Sequence, residues 1–391
     1  MEGDKPMGAK VKEPTPSSSN DLPQRLPASL TPLDVALAAL LRGVTPVAPV
    51  ELALADALGC IAADMPPLSA YPPCDVAAAD GWALRSGDLV GASSYSPLPL
   101  AKLPVWVETG DAMPQTCDCV VDSDSVDQTG PMFQVLAEAI PGQGVRRAGG
   151  DIASGSVVVE AGRRVLPRDL LIARAAGMTM LKVRRPRVRV VNVPTAGEAV
   201  TAQLVAESAR KAGAEIVCVE AAGRDAGSIA KALDTDGCDL MLTTGGSGVG
   251  RTDATVTALA QRGELVAHGI ALRPGRSCAI ARVGQTPVIA LPGAPDQAFA
   301  AWWTLALPVL DRLSGRRPRK TLNLPLARKI ASSVGIAEIV LLQRKQGVWI
   351  VLAAGDLSLD AIARAEAWLA ISGGSEGFAA GAPVDGYMLR D

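Results

Sequence analysis

A glycine-rich segment at residues 243–253 has the clearest potential for chemistry in this chain. It reads Thr-Thr-Gly-Gly-Ser-Gly-Val-Gly-Arg-Thr-Asp, follows an apolar stretch typical of a buried strand, and precedes a helical pattern that starts near Asp253. A strand, a glycine-rich turn and a helix N-terminus together direct backbone N–H groups towards an anion. The sequence therefore predicts a phosphate or other oxyanion site here, with an ordinary strand-to-helix turn as the alternative.

The spacing of these glycines differs from that of the two common nucleotide-binding loops. A P-loop ends in Gly-Lys-Ser or Gly-Lys-Thr and a dinucleotide loop reads G-x-G-x-x-G, whereas this chain has G-x-G-x-G. General nucleotide binding is therefore the weakest hypothesis. Two further turns, 272–276 and 291–295, follow apolar runs. The first contains Arg273 and Arg276, which are either cations for an oxyanion or a pair of surface arginines.

Alternating strand and helix patterns surround these turns. Such alternation predicts a parallel α/β sheet with helices on both faces, and ligands of such sheets bind at the carboxyl ends of the strands. All three turns follow predicted strands. The predicted strands are 188–193, 215–219, 239–243 and 287–291, and the predicted helices are 199–212, 227–233, 253–262 and 295–313.

The chain is too long for a single hydrophobic core, because such cores stop growing at about 250–300 residues. Composition predicts an α/β and β multidomain protein with a disordered tail, a linking domain that includes a helix at 51–63, a β-rich inserted domain, the parallel α/β domain and a C-terminal β-barrel-like domain. These units are 1–28, then 29–65 with 146–185, then 66–145, 186–318 and 319–391.

Overall composition disfavours several classes of function. A net charge of −2 argues against a chain-wide nucleic-acid or membrane surface, and His268, the single histidine, leaves little for histidine-based zinc or triad chemistry. We interpret His268 as a strand-end residue near the surface. The seven scattered cysteines and the polar N-terminus predict a soluble, cytoplasmic protein without a signal peptide.

Six ordered segments carry a family resemblance. They are PPCDVAAADGWALR at 72–85, TGDAMPQTCDCVV at 109–121, VRRAGGDI at 145–152 and the turns at 243–253, 272–276 and 291–295. Their order and spacing resemble the molybdopterin molybdotransferases, the MoeA and gephyrin E-domain family. On these motifs the chain is identified as a divergent member.

The resemblance implies an activity and an assembly. Family members insert molybdate into adenylylated molybdopterin, and AMP is released with the help of a divalent metal, which we expect to be Mg²⁺. The resemblance also implies a homodimer, in which the α/β domain of one subunit faces the β domain of its partner across the active cleft. A molybdopterin adenylyltransferase and recipient molybdoenzymes are further expected partners.

The resemblance also suggests roles for individual residues. Asp253 has a second interpretation, as the N-cap of the helix that it precedes. The implied catalytic residues are Asp80, Asp151 and Asp253; the implied metal ligands are Glu198 and Asp225; the implied substrate-binding residues are Thr109, Gly245, Gly246, Ser247, Gly248, Gly250, Arg273, Arg276, Pro292 and Pro295.

Several positions depart from the family pattern. Arg224 stands where the family has an acid, Ala294 and Gln297 replace an asparagine and a serine, and Val76 and Ala77 replace a polar pair. Removing a hydrogen-bonding group from a polar site costs about 1–3 kcal/mol. Two hypotheses therefore stand: a divergent molybdotransferase, and a non-catalytic carrier of molybdopterin or of the finished cofactor.

Overall fold

The structure, a computed structural model, describes residues 24–129, 132–195 and 197–389. Residues 1–23, which make up most of the predicted disordered tail, lie outside the described residues. Within the described ranges, every helix falls short of the length and apolarity that a bilayer crossing requires.

The first elements of the described chain are short, and the long helix predicted at 51–63 is not among them. That prediction is wrong: a strand, one helical turn and a second strand occupy the segment, because the strands pair with a later strand and Gly59 turns the chain at φ +83°. These elements are β1 (Thr31–Pro32), α1 (Leu33–Leu41), β2 (Val50–Ala53), α2 (Leu54–Ala57) and β3 (Ile61–Ala62).

The next region is built from short antiparallel strands, as the alternating sequence pattern predicts. Its three small sheets have the strand orders β6-β10-β9, β7-β5-β8 and β11-β4. The strands are β4 (Val76–Ala77), β5 (Gly81–Leu84), β6 (Leu98–Pro99), β7 (Val105–Val107), β8 (Cys119–Val121), β9 (Val126–Thr129), β10 (Met132–Val135) and β11 (Val145–Arg146).

Helix α3 (Pro167–Ala175) and strand β12 (Met180–Arg184) follow. Strand β12 lies between β2 and β3 in a three-stranded antiparallel sheet, so the chain before and after the β-rich region meets in one small unit. Its core includes Val165, Leu181 and Val183, each at most 1% exposed.

A six-stranded sheet of order β14-β13-β15-β19-β18-β16 forms the α/β region. The first four strands are parallel, as predicted, whereas β18 and β16 extend the sheet as antiparallel strands that the sequence pattern did not indicate. The six strands are β13 (Arg187–Asn192), β14 (Glu215–Glu220), β15 (Leu240–Thr244), β16 (Glu264–His268), β18 (Ala279–Val283) and β19 (Thr286–Leu291). Strand β17 (Ile270–Arg273) lies between β16 and β18 along the chain but belongs to a different sheet.

Helices pack against this sheet, and their apolar side chains form a large hydrophobic core with those of the strands. A π-helical turn at Trp302–Ala306 joins the last two of them into one continuous rod, which agrees with the predicted helix at 295–313. The helices are α4 (Val200–Lys211), α5 (Ala226–Ala232), α6 (Thr255–Arg262), α7 (Pro295–Ala301) and α8 (Leu307–Ser314).

The C-terminal region contributes five strands to a seven-stranded sheet, and β1 and β17 complete this sheet in parallel pairs. Because β17 pairs with β22 of this sheet, its end lies where the α/β region meets the C-terminal sheet. The elements are β20 (Thr321–Pro325), β21 (Ile330–Ala331), β22 (Ala337–Lys345), β23 (Val348–Ala354), α9 (Leu359–Arg364), β24 (Ala367–Ile371), β25 (Gly377–Phe378) and β26 (Pro383–Met388).

Candidate functional site

The glycine-rich loop connects β15 to α6 at the carboxyl end of the parallel strands. The N–H of Gly245 donates to the Leu291 carbonyl at the end of the neighbouring β19, at 3.0 Å. Thr255, the first residue of α6, donates its hydroxyl to the Gly245 carbonyl (2.9 Å) and its N–H to the Gly246 carbonyl (3.0 Å). The loop is therefore held to a strand end on one side and to a helix N-terminus on the other.

Two glycines of the loop are required by close approach. Gly246 has φ +69°, and a Cβ there would lie 2.4 Å from the Thr255 hydroxyl oxygen. A Cβ on Gly248 would lie 2.7 Å from a carboxylate oxygen of Asp253. Side chains at either position would push the loop away from the helix start.

Asp253 braces the loop rather than capping α6. Its Oδ2 accepts the Gly250 N–H at 3.0 Å, and its Oδ1 lies 3.0 Å from Nη2 of Arg224. The N-cap of α6 is Ala254, so the N-cap interpretation of Asp253 is wrong. Arg224 also donates through Nη1 to the Pro194 carbonyl at 2.7 Å. Arg224, which stands where the family has an acid, is thus paired with Asp253, one of the implied catalytic residues.

A cavity of about 510 Å³ joins the loop to the 272–276 turn. Gly248 and Val249 line one side, and Arg273 and Arg276 line another. The structure thus brings together three of the predicted substrate-binding residues. The walls also include Leu26 and Gly355, which the sequence did not single out, and Gln297, one of the positions that depart from the family pattern.

Arg273 is oriented by the C-terminal sheet. It is the register partner of Glu338 in the β17–β22 pair, and its Nη1 lies 4.0 Å from Oε1 of that buried carboxylate. Gly355 leaves room for the pair, since a Cβ there would lie 2.0 Å from Oε1 of Glu338. The Arg273 side chain remains 58% exposed, so its guanidinium can still bind a ligand.

The turn at 291–295 lies against the start of the glycine-rich loop. Its Gly293 carbonyl accepts the Thr201 hydroxyl at 2.6 Å, and a Cβ on Gly293 would lie 3.5 Å from the Cα of Gly245. Pro292 is buried, and Pro295 begins α7, whose next two residues line the cavity. Neither proline lines the cavity itself, so within the described residues both belong to the turn that packs beside the loop.

The acids of the β-rich region form separate contacts. Asp80 accepts hydrogen bonds from the Thr109 N–H at 2.7 Å and from the Thr109 hydroxyl at 2.8 Å. Both lower the pKa of Asp80 below its ordinary value, and the bond from the backbone N–H has the larger effect. Asp151 pairs with Arg146 at 3.1 Å. Within the described chain, these residues lie outside the cavity lined by Gly248, Arg273 and Arg276.

The implied metal ligands do not fit a metal site. Asp225 caps α5 by accepting the Ser228 N–H at 2.9 Å, and the Ser228 hydroxyl and N–H lower the pKa of Asp225. Asp253 is paired with Arg224, and Glu198 is exposed. Across the described ranges, no three histidine, cysteine or acidic side chains converge on one point.

Sequence reasoning missed two residues at the loop. His268 is the last residue of β16, as expected, but its Nε2 also lies 3.0 Å from the Ser247 carbonyl oxygen, a contact with the loop that the sequence did not indicate. Gln24 forms hydrogen bonds with the loop and with α6. No local signal identified it, because it lies in a segment whose composition is that of a tail.

Two family models match the chain. A model described as the MoeA N-terminal region (domain I and II) matches residues 31–177, and one described as a probable molybdopterin binding domain matches residues 191–312. Together they cover most of the described residues, including the glycine-rich loop and the 272–276 turn.

Curated relatives and solved structures agree with these models. The chain is 29% identical to molybdopterin molybdenumtransferase 2 of Mycobacterium tuberculosis over 54% of its own length, a match that spans only 57% of that protein. It is 28% identical to the molybdopterin molybdenumtransferase of Synechococcus elongatus over 71% of this chain and 74% of that protein. A molybdopterin biosynthesis MoeA structure from Pyrococcus horikoshii superimposes with a TM-score of 0.70 at 23% identity, covering 92% of this chain and 100% of that one.

Proposed function

The chain belongs to the MoeA family, and we propose that it acts in molybdenum cofactor biosynthesis as a molybdopterin molybdotransferase. The proposed reaction inserts molybdate into adenylylated molybdopterin and releases AMP. The observation that carries this proposal is the cavity in which the glycine-rich loop meets Arg273 and Arg276.

The loop and the two arginines give this cavity groups that suit an anionic ligand, and Asp296 and Asp356 also line it. Adenylylated molybdopterin and molybdate both present oxyanions, which backbone N–H groups at a helix N-terminus and arginine side chains stabilise. Each arginine offers a planar fork of donors that engages two oxygens of a phosphate or a molybdate. In this proposal the loop and the two arginines bind and orient the oxyanions, and Gln297 and Gly355 bound the space around them.

The proposed reaction is described without a role for a divalent metal ion. Mg²⁺ is the ion expected from the family resemblance, but of the two implied ligands Asp225 caps a helix and Glu198 is exposed, and the nearby Asp253 is held in an ion pair. We therefore assign no step of the reaction to a metal ion. The chain's own contribution near Asp253 is a braced loop with an adjacent guanidinium.

A carrier function is the second candidate, and the Arg224–Asp253 pair favours it. A carboxylate already paired with a cation at 3.0 Å is a poor metal ligand and a poor base, while the binding surface of the loop is kept. A non-catalytic protein that holds molybdopterin or the finished cofactor would keep this arrangement.

Release of AMP distinguishes the two candidates. Purified protein is incubated with adenylylated molybdopterin, with and without molybdate, and AMP is measured by chromatography. We expect release that depends on molybdate, since oxyanion insertion and cleavage of the adenylyl bond belong to one reaction. Tight binding without any AMP release would replace the transferase with the carrier.

Assembly is a further prediction of the proposal. Asp80, Thr109 and Asp151 lie outside the loop cavity of their own chain, so a cleft that uses them requires the β-rich region of a second subunit. We expect a twofold-symmetric homodimer in sedimentation velocity at micromolar concentration. A stable monomer would contradict this prediction and would remove these three residues from the site. The adenylyltransferase that supplies the substrate and the molybdoenzymes that receive the product remain proposed partners.

A further inference from the structure

The N-terminal residues 24–30, here called the strap, cross the glycine-rich loop. The strap continues directly into β1, where the Thr31 N–H donates to the Gly269 carbonyl at 2.9 Å. Carbon atoms of Leu26, Pro27 and Leu30 lie 3.0–3.2 Å from the position that a Cβ on Gly269 would take. The strap is therefore packed against the β16–β17 turn.

Gln24 places its side-chain amide in the loop. Its Nε2 donates to the carbonyls of Gly246 (3.0 Å) and Gly248 (2.9 Å). Its Oε1 accepts the N–H groups of Val256 (2.8 Å) and Thr257 (3.4 Å) in the first turn of α6. The amide thus joins the loop to the helix that follows it.

Gln24 uses the donors that the proposed ligand needs. The first N–H groups of a helix have no partner within the helix and carry its positive dipole end, which makes them the natural site for an oxyanion. Here the Gln24 oxygen takes two of them, and Leu26 lines the cavity that contains Arg273 and Arg276. Nearby, the Ser247 hydroxyl is buried and has no hydrogen-bond partner among the described residues. The loop therefore has an internal occupant beside a polar group that the described residues leave unsatisfied.

We propose that the strap is an internal competitor, which an incoming oxyanion must displace from the glycine-rich loop before it binds. This inference rests on the proposed function, because it takes the loop to be the ligand site. The apparent dissociation constant of a ligand rises in inverse proportion to the fraction of molecules whose site is open. Weakening the strap should consequently tighten binding.

The first test compares Gln24→Ala with the unaltered full-length chain by calorimetric titration of AMP. We expect at least a fivefold tighter dissociation constant, since the variant loses all of the Gln24 side-chain hydrogen bonds to the loop and helix. Gln261→Ala is the matched control: it removes an exposed glutamine from the far end of the same helix and should leave AMP binding unchanged. Unchanged or weaker binding by Gln24→Ala would overturn the competitor.

A second measurement uses the unaltered chain. Arg25 is exposed in the strap, so trypsin cleavage after it reports how far the strap has left the loop. Saturating AMP should accelerate release of the fragment that ends at Arg25 by at least threefold; protection would mean that the strap closes over the ligand, contrary to the proposal. The Arg273→Ala/Arg276→Ala variant separates the two ideas. If the double arginine variant binds AMP as tightly as the unaltered chain, the proposed ligand site is wrong. If the double variant binds AMP more weakly but Gln24→Ala does not bind it more tightly, the ligand site stands and only the proposal of an internal competitor is wrong.

Discussion

Replacing Arg273 and Arg276 together by alanine should weaken binding of adenylylated molybdopterin by at least tenfold. Each arginine lines the cavity beside the loop, and a charge-assisted hydrogen bond contributes about 1.5–3 kcal/mol. A tenfold change requires only about 1.4 kcal/mol, so even partly solvated contacts reach it. The dissociation constant can be measured by fluorescence titration without molybdate, so that no turnover occurs.

A lysine pair is the matched control for this variant. Arg273→Lys/Arg276→Lys keeps both charges, so most of the affinity should return even though the planar fork is lost. Thermal unfolding should accompany the titration, because Arg273→Ala leaves the buried Glu338 without its partner. A properly folded alanine variant with an unaltered dissociation constant would place the ligand elsewhere on the protein.

If the protein is the transferase and Asp253 has the catalytic role that the family resemblance implies, replacing Asp253 by asparagine should reduce molybdate-dependent AMP release by roughly 10²–10⁴-fold, the range typical when a catalytic acid or base is removed. The carboxylate accepts the Gly250 N–H through one oxygen and pairs with Arg224 through the other, so asparagine loses the charge and can keep only one of these two contacts. Initial rates under saturating substrate, with the dissociation constant measured in parallel, separate a loss of catalysis from a loss of binding.

Arg224→Gln is the companion variant. It removes the cation beside Asp253 and leaves the carboxylate, so it should lower AMP release less than Asp253→Asn does. Because like-charge repulsion is removed, it should also bind Mg²⁺ more tightly than the unaltered chain in a calorimetric titration. If Asp253→Asn retains full AMP release, Asp253 is only a brace of the loop, and its implied catalytic role is lost.

Local sequence patterns predicted the core of the α/β region correctly. The run Leu240–Thr244 is fully apolar up to its last two residues, so it forms a buried central strand, and the glycines after it permit the tight return to α6. Strands β13 and β15 are parallel neighbours, as the alternation of strands and helices required. The roles implied for individual residues stay predictions, because contact with a ligand is what defines them.

Other features were beyond local reasoning. The segment 51–63 contains good helix formers, yet its ends pair with β12, more than a hundred residues later, and strand pairing outweighed helix propensity. The antiparallel strands β16 and β18 were missed for a similar reason. Their apolar runs are short, and only their neighbours in the sheet determine their direction.

The sequence by itself determined the turn chemistry of this protein: where the chain needs glycine, where it places cations, and which strands end in such turns. Only the tertiary structure decided which of these features share a cavity. Arg273 lines the loop cavity at the end of β17, a strand that pairs with β22 of the C-terminal sheet, and Gln24 reaches the loop across 222 positions of sequence. Backbone conformation depends on neighbouring residues, whereas such contacts depend on how distant segments bury their apolar faces together, which no local pattern encodes.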